Sequence, residues 1–224
     1  MEITLSKCCI FDLDGTRLET ITTITYYVNK TMEREGIPPI TEDECKYFAG
    51  NGARLLIERT LASKGISDEG EIVRILDIYK KMYDEEPLYL TKPFEGIMEC
   101  LLRLKEAGYK LGVVSNKPHT AALPVVKHFF GDMIDVVSGA LDGVPIKPAP
   151  DIPARVLREL GSTPEECAFV GDTYVDMETG KNLGAAKSIG VLWGFRKREE
   201  LVGAGATAIA STMDELYEAV TDVG

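Results

Sequence analysis

The sequence predicts an α/β protein: a Rossmann-like parallel sheet core with helices on both faces, plus an inserted α-helical domain. Three observations predict it. From residue 94 onward, short apolar runs alternate with amphipathic stretches. Those runs are about five residues long and apolar throughout, as strands buried on both faces must be. Residues 18 to about 86 break the alternation and show only helical spacing.

The elements follow in order. Residues 7 to 13 form the opening strand. "ETITTITYYVNKTMEREG" and "GARLLIERTLASKG" read as helices of the insert. "EGEIVRILDIYKKMYDEE" carries Ile72, Ile75, Leu76 and Tyr79 on one helical face. Pro87 and Pro93 punctuate the return to the core. "IMECLLRLKEAG" is a helix closing at Gly108, and "KLGVVSN" is a strand. "HTAALPVVKHFF" is a helix interrupted by Pro124, and "IDVVSGA" a strand. "DIPARVLRELG", "DMETGKNLG", "REELVGAG" and "MDELYEAV" are helices, interleaved with the strands "CAFVGDT", "KSIGVLWG" and "TAIAS". The organisation is thus an α/β core of residues 1–16 and 88–224, with a helical insert at 17–87.

The chain has 224 residues, 45% hydrophobic, and a net charge of -11 with pI near 4.8. Nonspecific binding to nucleic acid or to an anionic membrane would have to overcome that field. An anionic small substrate would need a local cation. No apolar run approaches the roughly 20 residues that span a bilayer, and no leader pattern precedes the first strand. Cys8, Cys9, Cys45, Cys100 and Cys167 are scattered, odd in number and without a C-x-x-C pair. They read as reduced thiols, so the expected location is cytoplasmic.

Ligands of parallel α/β sheets bind at the carboxyl ends of the strands. The polar residues there are Asp12-Leu13-Asp14-Gly15-Thr16, then Ser115-Asn116-Lys117, then Lys147, then Gly171-Asp172-Thr173 with Asp176 one turn on. Several carboxylates converging on one edge cannot all stay ionised without a cation. Hard oxygen donors select Mg²⁺. Ser115, Asn116 and Lys147 are donors suited to phosphate oxygens. Metal, donors and a spare carboxylate make a site for phosphoryl transfer.

"FDLDGT", "VVSNKP", "KPAPD" and "GDTYVD" resemble the four motifs of the haloacid dehalogenase superfamily, in the right order and across most of the chain. "FAGNGARLLIER" and "VLWGFRKREEL" are similar to segments of its phosphoglycolate phosphatase-like members. The resemblance implies a Mg²⁺-dependent phosphatase of small phosphorylated metabolites that works through an aspartyl-phosphate. Asp12 is then the nucleophile and Asp14 the proton carrier. The Asp12 carboxylate, the Asp14 backbone carbonyl and Asp172 are the metal ligands, with Asp176 behind them. Thr16, Ser115, Asn116 and Lys147 serve the phosphate. The insert resembles the family's helical cap, where Arg54 is a candidate for a substrate carboxylate. Neither nucleic acid nor membrane is an expected partner, and the expected state is monomer or homodimer.

Arg17 departs from the family, which carries an apolar residue there; it is expected at the hinge or surface. Lys117 is expected in solvent and Trp193 in packing. Two other activities remain on this scaffold. A β-phosphoglucomutase-like transfer needs cap groups that shield the aspartyl-phosphate. A noncatalytic phosphate-binding protein has Arg17 as its only sequence support. A dehalogenase needs neither Asp14 nor Asp172.

Overall fold

The computed structural model describes residues 7–222. In chain order the elements are β1 (Cys8–Phe11), β2 (Leu18–Glu19), α1 (Ile21–Arg34), α2 (Glu42–Phe48), α3 (Gly52–Ala62), α4 (Glu69–Glu85) and β3 (Lys92–Pro93). There follow α5 (Ile97–Glu106), β4 (Lys110–Pro118), α6 (His119–Phe130), β5 (Val136–Ala140), α7 (Asp151–Glu159), β6 (Cys167–Gly171), α8 (Tyr174–Leu183), β7 (Lys187–Val191), α9 (Arg198–Gly203), β8 (Ala208–Ala210) and α10 (Met213–Thr221). The chain divides into two compact units. The first runs to Leu18 and resumes at Pro93; the second is Glu19–Lys92. The divisions fall at 18/19 and 92/93, where β2 pairs with β3.

The first unit is built on a six-stranded sheet in the order β5-β4-β1-β6-β7-β8, and every described pairing is parallel. Parallel neighbours require crossovers, and the helices between strands supply them. β1 lies between β4 and β6, with Phe11 opposite Val113 and Val170. The carboxyl ends of the three central strands therefore open side by side. Alternate residues of a strand face opposite sides. Cys8 and Ile10 join Cys167 and Phe169 on one face, packed with Ile152, Val156, Leu157 and Leu160 of α7 and its end, and Leu183 of α8. All five cysteines are buried and free.

The second unit is helical. α3 packs on α4, and α1 on α2 and α4. Tyr27, Tyr79 and Tyr83 form a tilted ring cluster between α1 and α4, with centroids 5.2 and 5.8 Å apart. The Asn29 amide exchanges two hydrogen bonds with the backbone of Ile40 (2.9 and 2.8 Å), which fixes the loop after α1. α2 carries too little apolar periodicity to announce itself. It starts instead on a capping box, with Thr41 accepting from Glu44 N and Glu44 accepting from Thr41 N. None of the described helices is long and apolar enough to cross a membrane.

Two local expectations change. Pro124 does not interrupt α6, which runs through it from His119 to Phe130. The proline is the sixth residue, so it costs α6 one intrahelical hydrogen bond, the one to the Thr120 carbonyl near the N-terminal end, and the helix continues past it.

Arg17 is not at the surface: it is fully buried, in the first unit just before the division at 18/19. The tight turn after β1 causes this. Arg17 N and Leu18 N both donate to Leu13 O, and Gly15 N donates to Leu18 O. The turn folds the side chain back beneath β1, where the guanidinium lies over the rings of Phe11 (5.4 Å) and Phe130 (4.9 Å). Nε donates to Asp12 O at 3.3 Å, whereas Nη1 and Nη2 have no hydrogen-bond partner among the described residues. Burial pulls its pKa down to about 9, against the opposing charge of Asp12 and Cys9. A buried cation without an acid is costly, and ring contacts offset only part of the cost. Arg17→Leu is therefore expected to raise stability by about 1–4 kcal/mol, read as a higher urea midpoint at unchanged slope. A lower midpoint would show that the guanidinium is a net contributor to the core.

Candidate active site

The site is assembled by the first unit at the carboxyl ends of β1, β4 and β6. Asp12 follows β1 directly, its N–H donating to Val170 O at 2.9 Å, so the ladder with β6 continues one residue past the strand. Gly15 turns the chain with φ +84°; a Cβ there would stand 2.4 Å from an Asp172 oxygen. Only glycine lets this turn pass so close to the acid. Asp172 follows β6, and Thr173 caps α8 with Asp176 as the reciprocal partner. Asp176 Oδ2 accepts from Thr173 N (3.0 Å) and Thr173 Oγ1 (2.7 Å).

Lys147 lies at the centre of the charge pattern. Its Nζ is 2.8 Å from Asp12 Oδ1 and 2.7 Å from Asp176 Oδ1, and it is 3% exposed. Carboxylate oxygens of Asp12, Asp172 and Asp176 all lie within 4.8 Å of one another. Three buried acids thus face one buried ammonium. Burial, and then the charge of Asp176, raise the Asp12 carboxyl to about 7 in spite of Lys147. Burial, Asp176 and Asp12 push Asp172 well above the carboxylate range. Burial alone would lower the Lys147 ammonium, but Asp12 and Asp176 override it and hold the proton more firmly than in water. The donor set is all oxygen and, with the three acids ionised, two positive charges short, which fits a divalent cation.

The remaining predicted residues are in the same unit, with one exception. Thr16 Oγ1 donates to Asp172 Oδ1 at 2.8 Å and so orients an acid. Ser115 is 3% exposed and its Oγ accepts from Lys117 N at 3.2 Å, leaving its proton available to a ligand. The Asn116 side chain braces the lysine: Nδ2 donates to Lys147 O (3.1 Å) and Oδ1 accepts from Lys147 N (2.9 Å). Asp14 stands outside the triad of acids, with Oδ1 3.3 Å from Lys117 Nζ. Lys117 is accordingly not a solvated lysine, since its side chain is 8% exposed. Arg54 belongs to the second unit, where its Nη2 contacts both Glu69 oxygens at 2.8 and 2.9 Å.

Sequence reasoning missed the segment after β7. Phe195 N donates to Asp172 Oδ2 at 2.7 Å, and Trp193 Nε1 donates to Thr16 O at 2.9 Å. Trp193 therefore packs on Phe94 with a ring distance of 6.4 Å and also ties the β7 loop to the first motif. A backbone donor leaves no residue-type signal; the one available hint was Gly194, whose Cβ would stand 2.3 Å from Asp172 Cβ.

Comparison with known proteins shows the family. The haloacid dehalogenase-like hydrolase family matches residues 9–191. A phosphoglycolate phosphatase of Aquifex aeolicus is 32% identical over 192 residues, covering 85% of this chain and 87% of its own. An N-acetylmuramic acid 6-phosphate phosphatase of Pseudomonas aeruginosa is 29% identical over 196 residues, covering 87% and 85%. The crystal structure of a protein named putative phosphoglycolate phosphatase, from Lactobacillus delbrueckii subsp. bulgaricus, superposes with a TM-score of 0.92 at 32% identity, covering 97% of this chain and 99% of its own. Sequence, sheet order and strand-end chemistry agree: the chain belongs to the haloacid dehalogenase-like hydrolase family.

Proposed function

We propose that this hydrolase is a Mg²⁺-dependent phosphatase that cleaves a small phosphate monoester through an aspartyl-phosphate on Asp12. The supporting observation is the Asp12 carboxylate itself, buried, held 2.8 Å from Lys147 Nζ and grouped with Asp172 and Asp176. Asp12 attacks phosphorus, and the bond to the ester oxygen breaks. Asp14 gives its proton to that leaving oxygen. Asp14 then takes a proton from water, whose oxygen attacks the aspartyl-phosphate and releases phosphate with Asp12 regenerated. Ser115 and Lys147 hold the phosphoryl oxygens, and Asn116 keeps Lys147 in place. Mg²⁺, held by the Asp12 carboxylate, the Asp14 carbonyl and Asp172, would supply charge neutralisation around the phosphoryl group. The noncatalytic alternative rested on Arg17, and a side chain buried beneath β1 gives it no support.

Both relatives' substrate names denote a phosphate ester of a carboxylic acid. On that basis the substrate class proposed is the phosphate ester of a small hydroxy acid. The helical unit is proposed as the selectivity cap, with Arg54 the candidate for the carboxylate in exchange for Glu69. A panel of matched esters with and without the carboxylate tests this. Esters bearing it are expected to show at least about tenfold higher kcat/KM. Equal values across the panel would contradict the assigned class, and absence of turnover on every ester with Mg²⁺ present would contradict the phosphatase reading.

A further inference from the structure

Lys117 is the penultimate residue of β4, in the strand-end cluster, and the reaction above does not use it. Its backbone is fixed from two sides. Lys117 N donates to Ser115 Oγ, and Lys117 O lies so close to Gly139 that a Cβ there would be 2.4 Å away. Its side chain is 8% exposed, and its Nζ reaches Asp14 Oδ1 at 3.3 Å, with the Asp14 side chain 18% exposed. A lysine withdrawn this far from water needs an anionic partner, and Asp14 is within ion-pair distance of it.

We infer that Lys117 is a positioning residue for Asp14: its ammonium fixes the carboxyl group for proton delivery to the leaving oxygen. This rests on the reading of Asp14 as the proton carrier. As Asp14 surrenders its proton, negative charge develops on its carboxylate beside a fixed positive group that needs no reorganisation. The benefit depends on the leaving group. An alkoxide requires the proton during bond breaking, whereas an activated aryloxide departs as a stable anion and requires little. A residue that acted only on folding or phosphate binding would affect both substrates alike.

The test is kcat/KM, with Mg²⁺ present, for an alkyl phosphate and for an aryl phosphate with a strongly acidic phenol. Lys117→Met is expected to lower the alkyl value about 10–100-fold, at least about tenfold more than the aryl value. Lys117→Arg is expected to recover most of the loss. Lys117→Gln serves the same comparison if Lys117→Met does not fold, as judged by circular dichroism. Asp14→Asn is expected to show the same selective loss, and adding Lys117→Met to it is expected to change little more. Equal losses on both substrates, or no loss, from the Lys117 substitutions overturn the inference while a selective Asp14→Asn leaves the reaction scheme intact. If Asp14→Asn is itself unselective, the proton-carrier reading fails first and the inference with it.

Discussion

Asp12→Asn is expected to lower turnover by about 10³-fold or more on every phosphate ester the wild type cleaves. The amide is nearly isosteric, so the ladder bond from Asp12 N to Val170 O remains. It cannot form the mixed anhydride with phosphorus, however. The substitution also removes one of three buried acids grouped within 4.8 Å, so the protein should remain folded, and at neutral pH without metal it should be more stable than wild type. Loss of activity with retained or raised stability separates a nucleophile from a structural acid. Unfolding of the variant, or turnover within tenfold of wild type, would contradict the assignment.

The second large effect concerns Lys147. Its ammonium contacts both Asp12 and Asp176. Lys147→Met leaves the acids without their buried counter-charge, and such a truncation costs about 3–5 kcal/mol. The pH dependence carries the diagnosis. Asp12 is raised from 3.8 to about 7, and Asp172 is also raised, so the folded state binds more protons than the unfolded state across that window. Stability of the metal-free wild type therefore falls as pH rises from about 4 through 7. Removing Lys147 takes away the charge that holds the Asp12 carboxyl down, so that carboxyl rises further and the variant's deficit should be larger at pH 8 than at pH 5. Addition of Mg²⁺ should stabilise the wild type most at the higher pH, because binding requires the ionised acids. Urea midpoints at the two pH values, with chelator and with Mg²⁺, measure all of this. A metal-free protein equally stable at pH 5 and pH 8 would show that the acids carry no excess charge.

Much of this was legible in the chain. The strand "CAFVGDT" announces its burial on both faces and ends in the acid that its position requires. "FDLDGT" announces its turn by Gly15 and its chemistry by paired acids. What stayed hidden has physical causes. Arginine is rarely buried, and only the turn formed by the Leu13 carbonyl folds Arg17 under the sheet. Lys117 reads as solvated until the third dimension brings it to Asp14, a residue 103 positions away. The hydrogen bond from Phe195 to Asp172 comes from the backbone, which has the same donor at nearly every residue. α2 depended on a cap rather than on apolar periodicity. The boundaries of the helical unit depended on a two-residue strand pair too short to read from composition.

The central claim is a covalent intermediate on Asp12. The direct measurement is rapid acid quench of enzyme turning over an aryl phosphate, followed by peptide mass analysis. The account predicts one added phosphoryl group on the peptide containing Asp12, formed within a turnover, lost on standing at neutral pH, and absent from Asp12→Asn. Phosphoryl transfer to water with no modified peptide at any quench time, under conditions where the anhydride survives, would contradict it. So would modification at any other residue.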